Sequence, residues 1–300
     1  MKIAVVGSCN IDLTFRVAHL PTAGETLPAA RFQLAHGGKG ANQAVMAARL
    51  GAEVAMIARV GDDAFGNDVI SQLRAEGIDV SQVRRQRDST TGSAVILVDA
   101  TGRNSIVVVG GANQDLAPFD VLESVDTIRS ADVLLCQLEV PLPTSYAALK
   151  LAHAAGVRTI FNPAPAIPLW DNLLTHVDVC IPNELEFGQL TGLPVASRSQ
   201  IETAAQMLRQ RGARIVIVTL GERGALIVDG KSSELIPVPK VSAVDTSGAG
   251  DAFTGAFAVA WVESGSMHEA VVRANAVAAD TVTRLGTQTS FPAARRERET

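Results

Sequence analysis

The sequence is poor in aromatic residues, with one Tyr, two Trp and nine Phe among 300 residues, against a hydrophobic fraction of 47%. Its interior must be built from Ala, Val, Ile and Leu, a composition suited to a parallel sheet buried by helices on both faces. Cysteine is also scarce. Cys9, Cys136 and Cys180 are odd in number, far apart and set in or beside apolar runs, with no C-x-x-C or Cys/His spacing. That excludes a disulfide framework and a zinc site and reads as reduced core thiols. No apolar run approaches the ~18 residues of a membrane span, and the first run gives way to Asn10 and Asp12, too short for a secretory signal core. A cytoplasmic protein with no membrane partner is expected. Basic residues do not outnumber acidic ones: Lys and Arg total 26, Asp and Glu 31, and the net charge is −5. They are scattered up to a short Arg295-Arg296-Glu297-Arg298 tail, so no stripe tracks a nucleic-acid backbone and none is expected as a partner.

What is present is a rhythm. Short Val- and Ile-rich runs at 2–7, 52–60, 131–138, 157–162, 177–182, 214–220 and 224–230 alternate with helical patterns at 39–51, 65–77, 144–156, 201–212 and 251–265, many of them closed by Gly. Strand, helix, strand, repeated, predicts an α/β protein with a central, mostly parallel sheet flanked by helices. Two stretches, 14–36 and 90–109, read instead as hairpin-like strands turning at Pro21/Gly24 and Ala100-Thr101-Gly102. They predict a small sheet, a lid or a subunit contact, interrupting one domain over residues 1–300.

Two phosphate-binding patterns are missing. No G-x-x-x-x-G-K-[ST] occurs, and Lys39, in the loop Gly37 to Gln43, only imitates it at the wrong spacing. Gly7-Ser8-Cys9-Asn10-Ile11-Asp12 stands where a dinucleotide fold needs G-x-G-x-x-G. The strongest local signal is Val244-Asp245-Thr246-Ser247-Gly248-Ala249-Gly250-Asp251, followed by an apolar helix. Small residues at a helix N-terminus leave bare N–H groups with a positive dipole end, an anion site for phosphate or a phosphoryl group in transfer. Asp251 then either accepts a proton from a substrate hydroxyl or is an ordinary first-turn acid. Asn10 and Asp12, expected at the carboxyl end of the first strand, either read sugar hydroxyls or cap a turn. Gly37 to Asn42 is a second glycine loop opening a helix. The turn Thr219-Leu220-Gly221-Glu222-Arg223-Gly224 either approaches a nucleotide or is a plain hairpin turn. Asn183 and Glu186 either cap a helix and meet its dipole, or read a ligand and hold hydrated Mg²⁺. His19, His36, His153, His176 and His268 form no catalytic or metal-binding pattern and read as structural.

Taken together, these motifs resemble the ribokinase-like PfkB family of carbohydrate kinases over nearly the whole chain. Residues 37–66 (GGKGANQAVMAARLGAEVAMIARVGDDAFG) look like the first family signature and 244–258 (VDTSGAGDAFTGAFA) like the second. Between and around them GSCNID, LPTAGET, the VVVGGAN run ending at Asn113, LLCQLEVPL, FNPAPA, IPNELEFGQLTG and VTRLGTQTSFP match in order. The resemblance implies a ribokinase-like α/β fold with a small β-sheet lid that joins a homodimer. It implies Asp251 as base and Gly248, Ala249 and Gly250 as anion hole. Asn10, Asp12, Gly38, Lys39, Gly40, Ala41, Asn42 and Glu139 would surround the sugar. Asn183, Thr219, Leu220, Gly221, Glu222, Arg223, Gly224, Gly250 and Asn275 would contact ATP, and Glu186 would serve Mg²⁺ through water. A monovalent cation, K⁺, would sit on Asp245 and on oxygens of Ser247, Thr281, Arg284, Gly286 and Ser290. The implied reaction is phosphoryl transfer from ATP to the 5-hydroxyl of D-ribose. Related acceptors are 2-deoxyribose, fructose or a nucleoside, and a non-catalytic sugar-binding regulator is the alternative of another class. One departure is Ala29, where many members carry Gly in the lid stretch.

Overall fold

A computed structural model describes residues 1–230 and 232–293; the basic tail at 295–298 lies outside the described residues. The strands are β1 (Lys2–Val6), β2 (Asn10–Arg16), β3 (Arg31–Gly37), β4 (Glu53–Gly61), β5 (Asp79–Gln86), β6 (Gly92–Val98), β7 (Asn104–Val109), β8 (Val133–Cys136), β9 (Arg158–Phe161), β10 (Val179–Cys180), β11 (Ile215–Thr219), β12 (Ala225–Val228) and β13 (Ser233–Ile236). The α-helices are α1 (Lys39–Arg49), α2 (Ala64–Ala75), α3 (Pro118–Glu123), α4 (Val125–Arg129), α5 (Leu142–Ala154), α6 (Glu184–Thr191), α7 (Arg198–Gln210), α8 (Ala249–Ser264) and α9 (Met267–Thr281).

The main sheet runs β13-β12-β11-β10-β9-β8-β1-β4-β5, parallel from β11 to β5, with β12 and β13 added antiparallel at one edge. Its strands are apolar on both faces because both faces are covered. Ile3, Val5, Val133 and Leu135 join a core with α1, α2, α8 and α9, whereas Ala4, Val6, Leu134 and Cys136 join a second core with α3 to α7. Successive side chains of a strand point to opposite faces, so each short run feeds both cores in turn. Cys9, Cys136 and Cys180 are free and buried, and burial pushes the thiols of Cys9 and Cys180 up to about 12. Among the described residues no helix is long and apolar enough to cross a membrane.

A second sheet, ordered β3-β2-β6-β7, contains the two helix-free stretches. β2 pairs antiparallel with β3 and parallel with β6. Its placement corrects the expectation for Asn10 and Asp12. The first strand ends at Val6, and Asn10 and Asp12 open β2 of the small sheet, paired with Gly37 and Ala35 of β3. Residues 17–30 form no strand, and Pro21 and Pro28 within them cannot donate to a ladder. β5 and β13 were not foreseen, because both are partly exposed and read as polar segments.

Chain direction fixes where a site forms. From β1 the chain passes to β4 and β5 on one side, and from β8 onward to the other, so the order reverses around β1. A crevice opens at the carboxyl ends of strands at such a switch point. Into it point the N-termini of α1 and α8, which cross closely. A Cβ on Gly255 would lie 2.7 Å from the Gln43 carbonyl oxygen and 2.9 Å from the Met46 Cβ. Gly255→Ala is expected to push α8 off α1 at a cost of about 1–3 kcal/mol. A fall in Tm of several degrees, at roughly 2–4 °C per kcal/mol for a chain of this size, is the expected result of thermal unfolding.

Candidate active site

Asp251 sits in the first turn of α8 and is buried. Its Oδ2 accepts from Asn42 Nδ2 at 2.9 Å and its Oδ1 from Gln43 Nε2 at 3.1 Å. Gly248, the N-cap residue, has φ +74°, a left-handed conformation that favours glycine. The amides that follow are unequal. Ala249 N–H leans on the Thr246 carbonyl at 3.3 Å, while among the described residues the Gly250 amide has no acceptor, and a Cβ at Gly250 would meet nothing within 4 Å. Of the three residues expected from the sequence to form an anion hole, only Ala249 has its amide engaged among the described residues.

The residues expected around a sugar converge on the same crevice. Glu139 Oε2 accepts from the Lys39 amide at 2.9 Å and from Ser8 Oγ at 2.5 Å. Asn10 Oδ1 accepts from Asn113 Nδ2 at 2.7 Å, and Asn113 Oδ1 accepts from the Cys9 amide. Burial, then the charges of Glu139 and Asp251, push Asp12 up to about 6. Burial alone would lower the Lys39 ammonium, yet the charges of Asp251, Glu139 and Glu186 raise it. Lys39 is therefore a permanent cation set among carboxylates. Gly38, Gly40 and Ala41 contribute backbone at the start of α1, where Ala41 N–H donates to the Ser8 carbonyl.

At the residues expected to contact a nucleotide the local geometry is mostly structural. Asn183 caps α6: its Oδ1 accepts from the Glu186 amide at 2.8 Å and its own amide donates to Glu186 Oε2 at 3.0 Å. Burial raises the Glu186 carboxyl although the Asn183 amide and Lys39 act the other way. The turn after β11 is closed by Leu220 N–H on Gly224 O and Gly224 N–H on Gly221 O. Leu220 packs into the second core, and Arg223 meets Glu184 at 2.6 Å, with Glu222 beside it in the turn. Thr219 bridges to Asn183, and Asn275 Nδ2 donates to the carbonyls of Ile236 and Pro237, leaving its oxygen facing outward from that pair of bonds.

The residues expected to hold a monovalent cation lie on two loops hooked together by one carboxylate. Asp245 Oδ1 accepts from Ser247 N–H and Oδ2 from Gly286 N–H, both at 2.9 Å. Burial opposes it, but these amides hold the Asp245 carboxyl below its usual range. Ser290 O takes two bonds from Arg284, Ser290 Oγ donates to Thr287 O, and Thr281 Oγ1 donates to Val277 O. The histidines lie elsewhere: His19, His36 and His268 pair with Glu25, Asp68 and Glu234, and the His153 and His176 rings lie 5.5 Å apart.

Sequence reasoning missed Ser8, Gln43, Asn113, Gln137, Asn162 and Gln288, all buried and polar. Gln43 and Asn113 stand inside segments singled out for other residues. Only the tertiary fold shows that their amides meet the site.

Acceptors for hydroxyl groups on one side and an open helix N-terminus on the other, with a buried carboxylate between, define a small-molecule phosphotransferase. Comparison with known proteins bears this out. The profile of the pfkB family carbohydrate kinases matches residues 1–294. The ribokinase of Mus musculus is 42% identical over 299 residues, covering 97% of this chain and 91% of that protein. The deoxyribokinase of Salmonella typhimurium is 41% identical over 293 residues, covering 97% and 96%. Among solved structures, Arabidopsis thaliana ribokinase complexed with ribose and ATP superposes with a TM-score of 0.92 at 35% identity, covering 98% of this chain and 96% of that one. The chain belongs to the pfkB family of carbohydrate kinases.

Asp12 generates a prediction from electrostatics alone. Burial pushes its carboxyl from the ordinary 3.8 up to about 6 in the folded state, so the folded state binds the extra proton between those values and stability falls as pH rises through them. Asp12→Asn is expected to raise Tm by a few degrees at pH 7 and to leave it unchanged at pH 4. Thermal melts at the two pH values check this.

Proposed function

We propose that this chain transfers the γ-phosphoryl group of ATP to the 5-hydroxyl of D-ribose. The observation that carries the reading is the buried Asp251 carboxylate, at the open N-terminus of α8 and beside the Lys39, Asp12 and Glu139 cluster. The ribokinase relatives, and the structural neighbour complexed with ribose and ATP, support the choice of sugar and nucleotide. The deoxyribokinase relative supports 2-deoxyribose as the second acceptor to test.

In this reading Asn10, Asp12 and Glu139 accept from sugar hydroxyls, and Gly38 to Asn42 bring backbone and the Asn42 amide against the ring. Asp251 orients the 5-hydroxyl and takes its proton as the bond to phosphorus forms. The amides at Gly248 to Gly250 receive the charge of the phosphoryl group. A loose transition state needs positioning and charge stabilisation more than a strong base, so a carboxylate at a helix N-terminus suffices. Thr219 to Gly224, Asn183 and Asn275 line the nucleotide side.

The metals fit to different degrees. Among the described residues no group of three His, Cys, Asp or Glu side chains could hold a metal ion, so Mg²⁺ fits as an ion carried on the phosphates, with Glu186 reaching it through water. When bound it neutralises phosphate charge. Asp245 and the carbonyl oxygens of the 281–290 loop are hard oxygen donors around one net charge, which fits a K⁺ ion; Ser290 would offer Oγ, because its carbonyl is taken by Arg284.

The small sheet is read as a lid, since it carries Asn10 and Asp12 over the crevice. Its outer face is apolar: paired residues share a face, and Phe32, Leu34, Val107 and Val109 are 54%, 41%, 65% and 48% exposed. Such a patch fits a second copy of the chain. Val107→Lys is expected to convert a dimer to a monomer in sedimentation equilibrium, and a monomeric wild type would remove the dimer.

Asp251→Asn is expected to lower kcat by about 10²–10⁴-fold with the KM for ATP changed by a small factor. ADP release measured with ribose, 2-deoxyribose, fructose and a nucleoside, with and without K⁺, tests the acceptor. Release with ribose above the others supports the reading; none with any sugar favours a binding protein.

A further inference from the structure

Gln43 lies next to Asn42 on α1 and is fully buried, so neither solvent nor substrate can meet it. Every polar atom of its side chain is committed. Nε2 donates to Asp251 Oδ1 and to Asn162 Oδ1, each at 3.1 Å, and Oε1 accepts from Gln137 Nε2 at 2.6 Å. The orientation of the amide is fixed from behind. Asn162 Nδ2 donates to the Ile181 carbonyl at 2.7 Å, so its Oδ1 must be the acceptor, and Gln137 presents a donor, so Gln43 must turn its NH₂ to Asp251. Gln137 and Asn162 stand just past the ends of β8 and β9, so both strand ends converge on the Gln43 amide that meets the carboxylate. This arrangement keeps Gln137 Oε1 buried without a partner, a rare condition for a polar atom, and Gly7 leaves the room that the Gln137 amide fills. An aliphatic trio would fill the same space without that burden.

We propose that Gln43, locked by Gln137 and Asn162, is a positioning residue that fixes the rotamer of Asp251 and so the direction in which its carboxylate faces the acceptor hydroxyl. The proposal rests on the reading of Asp251 as the group that faces the acceptor hydroxyl. Asn42 holds the other oxygen and is itself locked by Gln288 Nε2 at 2.9 Å, but Asn42 lies on the substrate side, whereas Gln43 acts only through Asp251. A second fixed donor stops a carboxylate from pivoting. The charged groups facing Asp251 are Lys39 on α1, Asp12 on β2 and Glu186 on α6, with Glu139 beyond Lys39. All remain when Gln43 is replaced.

The test is steady-state kinetics against pH for Gln43→Leu, Gln137→Leu and the double variant, with Asp251→Asn alongside. In Gln43→Leu, kcat should fall about 10–100-fold across the pH range, with both KM values within about threefold. Gln137→Leu, which frees the Gln43 amide without touching the carboxylate, should show the same changes in smaller measure, and the double variant should be no worse than Gln43→Leu. Wild-type kcat in Gln43→Leu, a loss confined to KM, or additive losses in the double variant would overturn the proposal. If Gln43→Leu does not fold, Gln137→Leu decides by the same readouts. A fully active Asp251→Asn instead removes the reading of Asp251, whereas an inactive one beside a wild-type Gln43→Leu removes only the role of Gln43.

Discussion

The packing of α8 against α1 is the constraint on which the site depends. Each helix brings half of what is needed: α8 its open N-terminus and Asp251, α1 the amides of Asn42 and Gln43. Neither half works at ordinary interhelical spacing, because an Asn or Gln amide reaches a carboxylate only when the backbones come close. Gly255 permits that approach one turn beyond Asp251, where even a methyl group would press on the Gln43 carbonyl. The apolar interior of α8 serves the same end: its residues from Ala252 to Trp261 are buried, which fixes the helix axis and hence the direction of its dipole.

From this contact the electrostatics of the crevice follow. Asp12, Glu139, Glu186 and Asp251 face one lysine, an excess of negative charge in a partly desolvated space. The excess shows at Asp12 and Glu186, both raised chiefly by burial, and it keeps Lys39 protonated. A neutral polyol suits this cluster better than an anion does, since hydroxyl donors satisfy carboxylates without adding charge. On the proposed reading the anion is met elsewhere, at the N-terminus of α8, so acceptor and donor substrates meet environments of opposite character.

Legibility in the sequence divides along a physical line. The β1, β4, β8, β9 and β11 runs were plain because strands buried on both faces are continuously apolar, and α8 was plain because its N-terminal glycines are adjacent in the chain. The edge strands β5 and β13 were hidden by their exposed polar residues. Asn10 and Asp12 were placed on the wrong strand because nothing local shows that β1 stops at Val6; the break is imposed by pairing of Asn10 with Gly37 and Gly92, distant in sequence. Gln43, Gln137 and Asn162 lie inside matched segments, but nothing in those segments says that the three side chains meet. An amide is chemically generic, and its role exists only once three separate elements place it against the same carboxylate.

The same division explains how a chain with a net charge of −5 can serve a highly charged donor. A basic surface would attract any polyanion and would compete with the carboxylates that a sugar needs. Backbone amides at Gly248 to Gly250 offer positive potential without side-chain charge, directed along α8 and confined to its first turn. Lys39, the cation set in the acidic cluster, is kept charged by three carboxylates. On the proposed reading, anion selectivity arises from the orientation of one helix. That orientation is held by the α1 contact that also positions Asp251, so recognition of phosphate and activation of the hydroxyl would both be set by a single packing interaction.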